Sequence, residues 1–484
     1  MEEKLSERRL VSNGESSPTL PCWEESPDNP VNWSTQLKVR QVFFISSAAF
    51  TATLGASIVS PCHERFMHEF QIGSTAALLP LCLYTFSLGM GPVLGGPLSE
   101  NLGRYPIYIG TLVVGSLFTL GAGFTRSFGG LCVLRFLAGF TFAPILAVSP
   151  GTIKEMFMPQ KGALPTAILI LCPFIGTGAG PVLGGFLVER KGWQWTQWTL
   201  IFFSGFSLIF ALTTGETYRP AIEHRISKRL GHCSAPKPST PWKDKMITLA
   251  KSTLLRPLSM LCKEKVVTLT CLYIACEFAT MFSFFAAFPF VYKEVYSFTI
   301  EQSGLIFLAI VIGSVLGAFT VVLFDVLFYR HRSAKLTGQS HPFAPELRLY
   351  PSMIGSIGLP TGLFWFGWTS HANISWACPT VAVLVFSWGN MCIFLSMTQY
   401  IMDSYPAHLV ASAMSANSLT RYGLSAVFPL FTIQMYKGLG IGWASSLLGF
   451  LAATLCPIPW LFFFMGDKLR NSSELAVSES LEES

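Results

Sequence analysis

The sequence predicts an all-α polytopic membrane protein whose twelve transmembrane helices form two six-helix bundles. Composition, apolar run length and the placement of Lys and Arg carry that prediction. Of the 484 residues, 51% are hydrophobic, 12% are charged and 41 are Phe. A soluble chain carries roughly 25% charged residues. Apolar runs cover 41–60, 77–96, 106–124, 128–149, 163–188, 197–215, 266–289, 303–328, 350–369, 376–401, 409–434 and 441–464. Each is long enough to cross a ~30 Å hydrocarbon core. The ~10-residue alternating segments of a β-barrel are absent.

The polar stretches fall into place around these runs. Residues 1–40 form a polar tail with no n-region, h-region or cleavage site, so the first span is expected to act as the membrane signal. Residues 41–215 make a first bundle and 266–464 a second, leaving 465–484 as a second tail. Between the bundles, 216–265 carries ETYRP, a Pro-rich stretch around Pro238 and eleven Lys and Arg.

An even number of spans puts both tails on one side. All of the 33 Lys and Arg lie on that side except Arg65, Arg126, Arg190, Lys191, Lys293 and Lys437 on the other and Arg135 and Arg421 inside spans. Positive-inside logic makes that side cytoplasmic. The net charge of +6 then reads as topology against anionic lipid, and no nucleic-acid partner is expected. The twelve Cys show no CxxC pair and no zinc spacing, so no metal is expected. Cys62 and Cys378 share the outer face, where a pairing is open to them.

The hexapeptide GPVLGG occurs twice, from Gly91 in span 2 and from Gly180 in span 5. Positions 2 and 5 correspond when each six-span half is two inverted three-helix units. Gly91, Gly95 and Gly96, like Gly180, Gly184 and Gly185, clear space for close helix approach. Pro92 and Pro181 each free a backbone carbonyl and permit a bend.

Four stretches resemble the major facilitator superfamily, and within it the fungal twelve-span drug:proton antiporters. They are GPLSENLGRYP (96–106), LRFLAGF (134–140), GTGAGPVLGG (176–185), and a set comprising DNPVNWS, ETYRP and SAMSANSLTRYGLSAVFPLF (412–431). The resemblance implies a transporter with binding between the two bundles, no cofactor, and a proton gradient as energy source. It makes Gly96, Glu100, Gly103 and Arg104 a conformational latch, with Asn101 and Tyr105 where the family often has Lys or Arg. Loop 8–9 holds a degenerate echo with Asp325, Arg330 and Arg332. It makes Gly176, Gly180, Pro181, Gly184 and Gly185 an antiporter-type hinge, for which plain helix packing is the alternative. Arg135 is implied in proton coupling; near a helix end it would snorkel instead.

The residues themselves add further candidates. Glu100 and Arg104, four apart, can pair with each other or with neighbouring helices. Glu277 in CLYIACEFATMF is the carboxylate placed well inside a span. In low dielectric a carboxyl favours its neutral form and can exchange a proton as its surroundings alternate between wet and dry. A hydrogen-bonded polar residue of the bundle is the other reading. Asn417 and Arg421 lie one turn apart on span 11, and Arg421 is expected to pair with Asp403 as a structural closure. Gln399 and Tyr400 are expected to reach the cavity. FSFFAAFPF (282–290) and LFWFGW (363–368) either line a broad apolar cavity or pack against helices and lipid. Asn373 sits in a glycosylation sequon of a short outward loop.

The function these features point to is export of small lipophilic or cationic organic molecules by proton antiport, in the cell membrane or that of the vacuole, as a monomer. Polyamine export and a non-transporting receptor on the same fold are the alternatives. The tails are short for a receptor. An enzyme is not expected, since HExxH, GxSxG and GxxxxGK[ST] are all missing. The Ser-rich acidic end SSELAVSESLEES is open to phosphorylation or sorting.

Overall fold

A computed structural model describes residues 23–158, 163–229, 255–330 and 345–471. The Pro-rich stretch at Pro238, Arg332 and the Ser-rich end lie outside the described residues. The first bundle comprises α1 (Thr35–Ser57), α2 (Leu79–Gly89 and Gly91–Leu102), α3 (Arg104–Phe124), α4 (Phe128–Met156), α5 (Ala163–Arg190) and α6 (Gln194–Ala211). The second comprises α7 (Lys265–Tyr296), α8 (Ile300–Leu305 and Leu308–Phe324), α9 (Tyr350–Thr369) and α10 (Ala377–Ser404). It ends with one helical stretch, Ala407–Leu455, that Gly440 at φ 76° divides into α11 (407–439) and α12 (441–455), the latter continued by Pro457–Asn471. Among the described residues, eight segments are long and apolar enough to cross a membrane on their own, and the last of these, Leu409–Arg470, holds both α11 and α12. The remaining crossings are the broken α2, and α6 and α9, whose apolar residues are diluted by Gly, Ser, Thr and Trp.

These helices are apolar nearly all round because each meets lipid on one side and neighbours on the other. Within the bundles, α1 packs on α5, α2 and α3 on α4, α7 on α11, and α10 on α8 and α9. The bundles meet along α2 with α11 and α5 with α8. The face where α1 begins and α12 ends is called the terminal face below, and its opposite the distal face.

The two GPVLGG copies do the same work on symmetry-related partners. A Cβ at Gly95 would meet Pro144 Cα of α4 at 2.8 Å, while one at Gly180 would meet the Ile58 amide nitrogen after α1 at 2.8 Å. Helix 2 rests on helix 4 and helix 5 on helix 1, the exchange expected of inverted three-helix units. Gly96 clears no neighbour, with nothing within 4 Å of a Cβ there. The prolines behave differently from expectation. Helix α2 breaks at Met90, with Pro92 inside the first turn of the next segment, whereas Pro181 lies in the uninterrupted α5. A proline in a first turn sacrifices no helical bond, so the break precedes it.

Candidate functional site

On the terminal face, Arg104 begins α3 after Gly103, whose φ of 94° suits a residue without a Cβ. The guanidinium donates to Glu155 Oε1 from Nε at 3.1 Å and from Nη2 at 2.9 Å, and to Ser99 Oγ from Nη1. Glu216 of ETYRP caps the same helix start. Its carboxylate accepts from the backbone N–H of Arg104 at 2.9 Å and of Tyr105 at 3.0 Å. An anion at a helix N-terminus is favoured by the exposed N–H groups and the dipole. The partner of Arg104 is thus Glu155 and not Glu100, which is exposed. Glu155 lies beyond the 128–149 span because α4 runs on to Met156.

The second bundle repeats the device. Arg348 pairs with Asp403 through Nε, faces Asp325 at 3.8 Å, and donates to Gln399 Oε1 at 3.3 Å. Asp403 is therefore engaged by Arg348 rather than Arg421. The reason is distance along the helix: Arg421 lies fourteen residues into α11, about 20 Å above its terminal end at ~1.5 Å per residue. Gln399 belongs to this terminal cluster instead of the cavity, and Tyr400 is buried with its ring stacked on Phe462 at 5.4 Å. Beside them, Arg470 pairs with the buried Glu346. Burial raises the Glu346 carboxyl above its ordinary 4.5, and Arg470 opposes that rise.

In mid-bundle, Arg135 is fully buried and does not snorkel. Nη2 donates to the Gly55 carbonyl, Nε donates to the Pro80 carbonyl at 3.4 Å, and the guanidinium lies 4.3 Å over the Tyr84 ring. Carbonyls and a ring replace a counter-ion there. Glu277 is 2% exposed, and neither carboxylate oxygen has a hydrogen-bond partner. Around it stand Tyr273, Cys276 and Thr280 of α7, Leu359 of α9 and Leu451, Ala452 and Leu455 of α12. Among the described residues, buried polar side-chain atoms without a partner gather in this bundle: Thr270, Tyr273 and Glu277 on α7, Asn390, Ser396, Thr398 and Tyr400 on α10, Asn417, Arg421 and Ser425 on α11. The first bundle contributes Ser46, Arg135 and Gln197.

Arg421 stacks on Phe278 at 4.6 Å, Phe394 at 4.9 Å and Tyr422 at 4.5 Å. Phe174 of α5 closes this set from the opposite bundle, 5.5 Å from Phe278 and 5.3 Å from Phe394. The motif GTGAGPVLGG runs past it on α5 with two working faces. Gly176, Gly180 and Gly184 lie against α1 and Ile58, while Gly178 and Gly185 lie against Val311 and Ile300 of the second bundle. The Pro181 carbonyl sits where a Cβ on Gly304 of α8 would come to 2.6 Å.

Towards the distal face the bundles enclose a cavity of about 870 Å³. His63, Glu64, Lys293 and Lys437 are among its polar lining, and Phe285 and Phe307 are among its apolar lining. Cross-bundle contacts bridge it, Ser60 Oγ donating to the Phe285 carbonyl at 2.8 Å and Lys293 pairing with Glu64, and two more join the bundles outside its lining, Arg190 with Glu301 at 2.6 Å and Thr75 with Gln434 at 2.6 Å. Phe285 stacks on Phe307 at 5.4 Å, whereas Phe284 and Phe288 pack on Phe366 inside the bundle. The span 9 aromatics line no part of the cavity: Phe364 meets Phe450 of α12, and Trp365 and Trp368 are exposed. Cys62 and Cys378 are both free thiols; Cys62 is buried in the first bundle and Cys378 accepts from Trp365 in the second. Asn373 stands exposed in the distal loop between α9 and α10.

Comparison with known proteins agrees with this architecture. Residues 45–429 match the family model described as Major Facilitator Superfamily. The chain is 34% identical to Polyamine transporter 4 of Saccharomyces cerevisiae, covering 98% of this chain and 76% of that protein. It is 35% identical to the MFS-type transporter traF of Penicillium crustosum, covering 93% and 92%. To the efflux pump FUB11 of Gibberella moniliformis it is 34% identical, covering 96% and 77%. The solved proton:xylose symporter XylE bound to 6-bromo-6-deoxy-D-glucose superposes with a TM-score of 0.63 at 14% identity, covering 89% of this chain and 97% of that one.

Proposed function

The chain belongs to the major facilitator superfamily, and on that footing we propose that it exports small lipophilic or cationic organic molecules in exchange for protons. Among its fungal relatives are efflux pumps and a polyamine transporter. The observation that carries the proton part is Glu277, a carboxyl in mid-membrane with both oxygens unbonded. An acid so placed holds a proton while its surroundings are dry and releases it when they become wet. Arg135, braced by Tyr84 and two carbonyls, keeps a fixed positive charge in the facing bundle.

The terminal face looks into the cytoplasm, in keeping with its Lys and Arg. There the Arg104–Glu155 and Arg348–Asp403 clusters tie each bundle into a rigid half. The halves then rock about the glycine-lined contact of α5 with α8. Polyamine export is the second reading, favoured by the named relative and by Glu277 as a ligand for an amine. Inside-out vesicles bearing the protein test the proposal. Adding a transported dye to acidified vesicles should release protons from the lumen, and Glu277→Gln should abolish that release. Equal proton release from the variant would remove Glu277 from the mechanism.

A further inference from the structure

Arg421 is housed among rings although a carboxyl stands beside it. Three aromatic rings lie within 5 Å of its guanidinium, and Nε has no partner. Glu277 directly precedes Phe278, one of those rings, and lies within electrostatic reach of Arg421. Yet the two form no ion pair, and both carboxylate oxygens are unbonded. An ionised carboxylate in so apolar a place would draw the guanidinium strongly. A protonated one leaves it to the rings, which attract a desolvated cation by ~2 kcal/mol or more. The groups facing Glu277 are Tyr273 and Cys276 on its own helix, Cys392 on α10 and Arg421 on α11, with Cys456 behind Tyr273. Leu359 of α9 and Leu451 of α12 are apolar. Among the described residues, Arg421 is thus the charge that can answer Glu277.

Resting on the proton-antiport reading, we infer that Phe174, Phe278, Phe394 and Tyr422 form the cation subsite for substrate, and that Arg421 is its internal occupant. When Glu277 ionises, Arg421 leaves the rings to pair with the carboxylate, and a lipophilic monocation takes its place. One proton leaves Glu277 for water on the open side as one cation enters. The site carries one net positive charge before and after, so the exchange never strands a charge in the bundle. Phe174 comes from the first bundle and the other three rings from the second, so the subsite is complete only when the bundles meet. The ligand class is a monocation with a broad apolar body; an uncharged isostere lacks the interaction that displaces Arg421.

The test measures binding of tetraphenylphosphonium, with triphenylphosphine oxide as the uncharged control, to purified protein in nanodiscs. Wild-type affinity should weaken about tenfold per unit as pH falls below the titration of Glu277, because binding releases one proton. Glu277→Gln should bind at least tenfold more weakly at pH 7.5, since Arg421 then has no reason to leave the rings. Glu277→Gln combined with Arg421→Gln should regain wild-type affinity or better and lose the pH dependence. Phe278→Leu should weaken binding on the order of tenfold in each background. A monodisperse elution profile for each variant, together with Arg421→Lys, which keeps the competing charge, guards against a folding artefact. If the double variant stays as weak as Glu277→Gln, Glu277 itself contacts the ligand and the inference is overturned. It is equally overturned if no variant prefers the cation to the uncharged control. If the double variant regains binding while liposomes show no proton-coupled efflux, the subsite stands and the antiport reading falls.

Discussion

Replacing Gly176 by Ala puts the packing account to a quantitative test. The added methyl would start 2.6 Å from the Phe50 carbonyl oxygen and 2.5 Å from Thr53 Oγ1, where ordinary contact begins at 3.4 Å. Neither neighbour yields easily. The carbonyl is backbone of α1, and Thr53 Oγ1 is held by the Ala49 carbonyl at 3.1 Å and that of Phe50 at 3.2 Å. To raise 2.6 Å to 3.4 Å, α5 and α1 must part by about 0.8 Å. Overpacking of this kind costs about 1–3 kcal/mol. Against it stands a gain of up to ~1 kcal/mol from replacing Gly by Ala within a helix. With that gain subtracted, a net loss of up to about 2 kcal/mol follows, read as a fall of up to a few degrees in the unfolding midpoint of purified protein by intrinsic fluorescence. Gly205→Ala in α6 is the control, since nothing lies within 4 Å of its Cβ; it should be neutral or slightly stabilising. Gly178→Ala pushes instead on Val311 of the second bundle, at 2.6 Å. That variant should keep its midpoint and change efflux. If Gly176→Ala unfolds where Gly205→Ala does, the close approach of α5 to α1 is not the reason for this glycine.

The charged clusters give the remaining predictions. Arg104→Lys loses the two-pronged contact with Glu155 and should cost about 1–3 kcal/mol in thermal stability together with most efflux, while the exposed Glu100→Gln should behave as wild type; equal losses in both would restore Glu100 as the partner. Glu64→Gln removes an exposed cross-bundle pair with Lys293, so distal opening, read by thiol labelling of a cysteine placed at Ser60, should rise at most a few-fold and less at high salt. An unchanged labelling rate would show that this pair does not hold the distal side closed. Glu346 binds its proton more tightly folded than unfolded, because burial raises its carboxyl above 4.5. The stability it contributes is therefore full at low pH and is lost as pH rises through its folded-state titration. Arg470→Gln removes the opposing charge, so the variant should lose more stability than wild type between pH 5 and 8. A parallel pair of curves would contradict that sign.

The spans and the two-bundle layout were legible because hydropathy is written locally, residue by residue. GPVLGG was legible as a packing element for a similar reason: only glycine permits the approach, and it had to appear on both α2 and α5. The partners of the charges were not legible. Arg104 finds Glu155 and Glu216, 51 and 112 residues away, and the register of separate helix ends is set by packing that one sequence does not display. The same holds for Arg348, whose pairing with Asp403 took the place expected for Arg421. Glu216 did leave a faint sign, as an acid directly after the 197–215 apolar run on the basic side of the chain. Glu277 stood out because it is an acid inside a span. Its lack of any hydrogen-bond partner, and the rings that hold Arg421 next to it, needed three-dimensional neighbours from α5, α10 and α11.

The most direct test of proton-coupled export uses purified protein in liposomes with an imposed pH difference, following a lipophilic cationic dye and internal pH together. The account predicts dye movement against its gradient with opposite proton flow, both lost in Glu277→Gln although the protein still inserts and elutes as a single species. Dye movement indifferent to the pH difference would contradict it and leave a passive facilitator on this fold.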